Sequence, residues 1–240
     1  MKFKTTLCVA ALCLASAAAH AVPSLGTILS NGTYNGVTDT GLESVVLTDT
    51  SNNNDDITAF LFLELAGFRN NNNFGIYSFS YDGSGNVVVG DTLELFSGSQ
   101  SPGTGGFTTD ATVEFDLLAG TATNASTNVV ANIGKNFGFY LANTVNNNGF
   151  TWYSHTSLNS DGFDHMLMFD TSSNSVSGLS GSDVVLAFED LCNTNCSNDG
   201  DYNDMVVGIS DVIPVPEPGT LALLGLGLAG LGAARRRQKA

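Results

Sequence analysis

The sequence predicts an all-β fold, an antiparallel sandwich of about ten strands, with a closed barrel as the second choice. Three observations carry that expectation. Thr112-Val113-Glu114-Phe115-Asp116-Leu117 alternates strictly, so Val113, Phe115 and Leu117 share one face and the polar residues the other. Apolar runs recur along the chain between clusters of Gly, Asn, Ser and Asp. Between the two ends of the chain no segment sustains a helical apolar period, so helix is expected to be minor.

In chain order, Lys2 and Lys4 precede an apolar stretch over 7–19, and Ala19-His20-Ala21 offers the small-x-small pattern that signal peptidase accepts. Residues 1–21 therefore read as a signal peptide, cut before Val22. The segment 22–212 is expected to form one β-domain, long enough for its own core. Its strand signals lie at 45–47, 57–65, 76–81, 87–96, 112–117, 137–141, 150–154, 165–169, 184–188 and 205–209. Tyr77, Phe79 and Tyr81 alternate with Ile76, Ser78 and Ser80, and Phe137, Phe139 and Leu141 fall on one side of another strand. The Asn runs at 52–54, 70–73 and 146–148 read as loop tips, because Asn tolerates left-handed backbone and caps its own turns. The Ser- and Gly-rich stretch 97–106 reads as a flexible loop.

The end of the chain changes character. Residues 213–219, with Pro214, Pro216 and Pro218, read as an extended linker, and 220–240 as an apolar helix followed by Arg235, Arg236, Arg237 and Lys239. At about 1.5 Å per residue the apolar run 220–234 reaches roughly 22 Å, short of a bilayer core of roughly 30 Å. A transient membrane insertion, with the basic end on the cytoplasmic side, fits that length better than a permanent span.

Between residues 22 and 213 only Arg69 and Lys135 are basic, against 22 acids, a formal charge of −20. Such a field repels nucleic acid and anionic membrane surfaces, and it gathers cations. Cys8 and Cys13 leave with the signal peptide. Cys192 and Cys196 remain, four positions apart, and in an oxidising compartment they are expected to close a small loop disulfide. The sequence has no GxSxG elbow, HExxH pair or phosphate loop.

The densest polar constellation flanks that cysteine loop: Glu189 and Asp190 before it, and Asp199, Asp201, Asn203 and Asp204 after it. Asp199, Asp201 and Asn203 alternate like the first ligands of a calcium loop, with Gly200 to permit a tight turn. The loop has neither the glycine at the sixth position nor the glutamate at the twelfth that an EF-hand needs. Without a cation these acids repel one another and some take raised pKa values. Calcium held by Glu189, Asp190, Asp199, Asp201, Asn203 and Asp204 is the expectation, set against a solvated acidic loop.

Two resemblances follow from these residues. Val215-Pro216-Glu217-Pro218-Gly219, the apolar run and the arginines resemble the PEP-CTERM signal of Gram-negative bacteria, which implies export and recognition of Pro216, Glu217 and Pro218 by a membrane protease of the exosortase type. Phe188-Glu189-Asp190-Leu191 with Asp199-Gly200-Asp201-Tyr202-Asn203-Asp204 resembles the signature of the bacterial domain of unknown function 4114, and so do Thr151-Trp152-Tyr153-Ser154 and Asp161-Gly162-Phe163-Asp164-His165. That likeness extends over about 134–209. It adds His165 as a further metal ligand or base. The combined expectation is an exported, non-enzymatic, calcium-stabilised β-sandwich, sorted to the cell surface or extracellular polysaccharide matrix for a structural or adhesive role. Two alternatives remain. One is a carboxylate-dependent hydrolase of matrix glycans using Glu189 and Asp204, the other a lectin-like module using Trp152.

Overall fold

The computed structural model describes residues 22–48, 55–63, 71–96, 109–143, 149–179, 181–191 and 199–216. The expected signal peptide with Ala19 and Ala21, the expected disulfide pair Cys192 and Cys196, and the tail from Glu217 and Pro218 onward lie outside the described residues. Among the described residues no helix is long and apolar enough to cross a membrane.

The strands are β1 (Ser44–Leu47), β2 (Asp55–Leu63), β3 (Asn72–Tyr81), β4 (Val87–Phe96), β5 (Thr109–Asp116), β6 (Thr121–Asn124), β7 (Val129–Ala131), β8 (Asn136–Asn143), β9 (Phe150–Tyr153), β10 (Met166–Asp170), β11 (Val184–Phe188), β12 (Met205–Ile209) and β13 (Val212–Val215). One sheet runs β13-β1-β8-β3-β4, with β9 also on β8; the other runs β10-β11-β12-β2-β5-β6-β7. The pairings are antiparallel.

The two sheets close over one shared core. Val45, Phe74, Leu93, Phe137 and Phe139 of the first sheet meet Ile57, Val113, Met168, Leu186, Phe188 and Val207 of the second. Phe74 stacks on Phe96 and Phe139 and takes the edge of Phe188 from across the gap. The expected faces are present: Val113 and Phe115 point into this core with Leu117 packed beside them, and Phe137, Phe139 and Leu141 line it from β8. This is the expected sandwich.

A second cluster covers the outer face of β10–β12. Leu25 and Ile28, from the short helix Leu25–Ile28, pack with Tyr34, Val176 and Leu179 on Leu167, Phe169, Val185, Ala187 and Val206. Strands buried on both faces carry continuous apolar runs rather than alternation. Val184-Val185-Leu186-Ala187-Phe188 and Met205-Val206-Val207-Gly208-Ile209 are such runs, and all ten residues are buried.

Among the described residues each of the ten expected strands is present, and three more accompany them. β6 and β7 are short and lack bulky alternation. β13 corrects the expected linker boundary at 213: Ile213, Pro214 and Val215 pair with Val46, Val45 and Ser44. Proline is tolerated there because β13 is an edge strand, whose outer row of N–H groups needs no partner strand.

Candidate metal centre

The register of the second sheet assembles the site. Phe188 pairs with Met205 and with Met166, so the next residue out on each strand, Glu189, Asp204 and His165, arrives at the same end of the sheet. The Glu189 amide donates to the His165 carbonyl at 3.0 Å, and His165 Nδ1 donates to the Glu189 carbonyl at 2.8 Å. The Asp190 amide donates to Asp204 Oδ2 at 2.8 Å.

The first sheet supplies the other wall. Asn72 and Asn143 face each other across β3 and β8, and Asn143 Nδ2 donates to Asn72 Oδ1 at 2.9 Å. Asn72 Nδ2 then donates to Asp190 Oδ2 at 2.8 Å. Trp152 Nε1, from β9, donates to the Asp190 carbonyl at 3.0 Å. Asp190 thus joins the two sheets through its side chain and its backbone. The Asn72 bond ends on a carboxylate, where a hydrogen bond contributes about 1.5–3 kcal/mol, and the Trp152 bond to a neutral carbonyl adds about 1 kcal/mol.

Downstream, Gly200 and Tyr202 both adopt positive φ, 67° and 54°. At Tyr202 that conformation is strained, and it is held from the side chain: the hydroxyl donates to the Asp164 carbonyl at 2.7 Å and the ring stacks near Phe163. The double reversal returns the chain so that Asp199 and Asp201 approach Glu189 from the loop while Asp204 approaches it from the position just before β12. Asp201 accepts from the Asn203 amide and, at 2.5 Å, from Asn203 Nδ2.

Two triads result. Oxygens of Glu189, Asp190 and Asp204 lie within 4.8 Å of one another, and so do oxygens of Glu189, Asp199 and Asp201. Glu189 and Asp190 are 0% and 1% exposed. Burial, followed by the charge of Asp199, pushes Glu189 up to about 7. Burial, with the charges of Asp190 and Glu189, pushes Asp204 up to about 8. Asp190 is raised too, mainly by burial. Glu189 Oε2 is buried and has no hydrogen-bond partner among the described residues. A buried oxygen left this way costs about 1–3 kcal/mol, more when charged. An all-oxygen carboxylate set suits a hard cation, calcium or magnesium, better than a soft one. The donors present fit such an ion.

Of the expected ligands, Glu189, Asp190, Asp199, Asp201 and Asp204 come together. Asn203 spends its amide nitrogen on Asp201. His165 stands beside the acids: Nδ1 is committed to Glu189, and Nε2 faces Asp161 at 3.2 Å. Burial pushes this histidine down toward the neutral form. Its ring lies flat on Trp152, which Phe150 stacks on in turn. Trp152 is only 4% exposed, so its ring is a buried support and offers little surface to the lectin-like alternative. Sequence reasoning missed Asn72 and Asn143, which sit in or next to Asn runs that look like loop tips. A cavity of about 530 Å³, lined by Glu94, Asp110, Asn124 and Val129 among others, shares no residue with either triad.

An antiparallel sandwich with a carboxylate-lined end is the class of protein that fold and site define. Residues 110–211 match the domain of unknown function DUF4114, and residues 214–237 match the PEP-CTERM protein-sorting motif. The chain carries both. The first match begins in β5, earlier than residue 134, and ends at Asp211 between β12 and β13; the second begins at Pro214 inside β13. The sorting motif implies an exported protein of a Gram-negative bacterium that is processed by an exosortase. No curated protein and no solved structure matches the chain.

Proposed function

We propose that the protein is a cation-stabilised structural module of the cell surface or extracellular polysaccharide matrix, with calcium held at the acidic end of the sandwich and a structural or adhesive role. The observation that carries this reading is Glu189: its Oε2 is buried without a hydrogen-bond partner among the described residues, and its carboxylate belongs to both groups of converging acids. Folding brings the acids together at an electrostatic cost, and a bound divalent cation offsets that cost only in the folded state. Glu189, Asp190 and Asp204 would hold it. When bound, the cation supplies positive charge at the junction of the two sheets. Its role here is cohesion.

The hydrolase alternative requires a substrate oxygen against Glu189 or Asp204. The Glu189 carboxyl is 0% exposed, which favours holding an ion over protonating a glycosidic oxygen.

Thermal melting of the full-length chain with calcium and with chelator tests the reading. At a free calcium concentration about one hundred times the dissociation constant, binding adds about 2.7 kcal/mol, worth several degrees of Tm. An unchanged melting curve at millimolar calcium sinks it.

A further inference from the structure

The five carboxylates do not form one set. They divide into two triads that share a single member, Glu189. Two oxygens bound to one calcium, each at about 2.3–2.6 Å, stand at most about 5 Å apart. Either triad meets that limit by itself, so the arrangement defines two neighbouring points rather than one.

We propose that the acidic end holds two calcium ions bridged by Glu189: an inner ion on Glu189, Asp190 and Asp204, and an outer ion on Glu189, Asp199 and Asp201. This rests on the cation reading above and deepens it.

Three observations support the division. Glu189 has an oxygen to give: Oε2 is buried and without a partner among the described residues, while Oε1 takes a long bond from the Leu191 amide at 3.4 Å and the Tyr202 backbone also acts on the carboxylate. A carboxylate whose two oxygens differ in this way can present one to each ion. Second, the two triads hang on different parts of the fold. Asp190 and Asp204 are tied to each other and to Asn72, whereas Asp201 is oriented by Asn203 within its own loop. Third, the triads differ in access. Asp190 is 1% exposed, but Asp199 is exposed.

The inner ion therefore sits within the junction of the sheets and exchanges slowly. The outer ion keeps solvent-facing coordination positions and exchanges quickly. Binding the inner ion neutralises part of the charge around Glu189, and the outer ion follows at higher calcium.

Isothermal titration of calcium chloride into the chelator-stripped full-length chain tests this, with stoichiometry checked by equilibrium dialysis. The expected result is two ions per chain with affinities at least about tenfold apart. Asp199→Asn, a change at an exposed position, should leave one ion and most of the thermal gain. Asp201→Asn should do the same, and Asp190→Asn should remove the tighter event. One ion per chain in the wild type, unaffected by Asp199→Asn, overturns the two-ion inference and leaves the cation reading standing. Two ions retained in the Asp199→Asn, Asp201→Asn double variant overturn it as well. No heat and no thermal shift with calcium overturn both.

Discussion

The rings of Trp152 and His165 lie face to face, 3.8 Å between centroids and 5° from parallel, and each hands an N–H to one of two consecutive carbonyls, Asp190 and Glu189. Two aromatic rings from opposite sheets thereby fix the backbone that carries the candidate inner ligands. Trp152→Phe keeps an aromatic ring and deletes the indole donor. A loss of about 1–2 kcal/mol is expected from the lost bond alone, and weaker calcium binding with it, because the carbonyl of Asp190 loses its anchor. Trp152→Ala should cost about 3–5 kcal/mol. Urea denaturation of both variants with and without calcium checks this. Equal losses for the two would show that the ring contributes nothing beyond its hydrogen bond.

Glu189→Gln separates the cost of the charge from its use. The folded pKa of Glu189 is raised to about 7 from an ordinary 4.5, so in calcium-free protein its penalty is absent at about pH 4, grows as pH rises, and is full above about pH 8. Glutamine does not titrate. Without calcium the variant should melt higher than wild type at about pH 8, by on the order of 2 kcal/mol, and match it near pH 4. In calcium at about pH 8 the order should reverse. Melting curves at both pH values with chelator and with calcium decide it, and a variant less stable in all four conditions would contradict the electrostatic account.

Much of this was legible in the sequence, and the remainder has a physical cause. Val184-Val185-Leu186-Ala187-Phe188 and Met205-Val206-Val207-Gly208-Ile209 announce strands because burial on both faces demands unbroken apolar runs. The clustering of Asp199, Asp201 and Asp204 around Gly200 announces the acidic loop. What the chain does not display locally is register: that Phe188 pairs with Met205, and so puts Glu189 opposite Asp204, is a consequence of long-range pairing. Asn72 is equally silent, since a buried asparagine bound to Asp190 has the same neighbours in sequence as a loop asparagine. Pro214 argues against a strand unless one knows that the strand lies at an edge.

The Asn143, Asn72 and Asp190 chain should behave as a coupled unit. Asn72→Ala leaves Asp190 Oδ2 without its 2.8 Å donor in a buried setting, at a cost of about 2 kcal/mol. Asp190→Ala removes the same bond from the other end. If the two act through one contact, the double variant should cost at least about 1 kcal/mol less than the two single losses combined. A double-mutant cycle by chemical denaturation, in chelator so that calcium does not enter the balance, measures the difference. Simple additivity would mean that the bond drawn between the sheets contributes little.

His155 supplies a pH dependence away from the acids. It is fully buried on the outer face of the first sheet, hydrogen-bonded through Nδ1 to the Tyr77 hydroxyl, and burial pushes it from 6.5 down to about 4. Because the unfolded chain takes up the proton first, this group leaves stability untouched well above pH 6.5. As pH falls from there to about 4 it removes up to about 3 kcal/mol, the unfolded state binding more protons throughout that window. A His155→Gln variant lacks the titration but loses some packing and the Tyr77 contact, so it should be less stable than wild type near pH 8. Its deficit should then shrink steadily on acidification, as the wild type pays for keeping an uncharged imidazole inside. Urea melts at about pH 8, 6 and 4.5 in chelator measure the gap; one that stays constant across the series would mean that His155 is not held neutral in the folded protein.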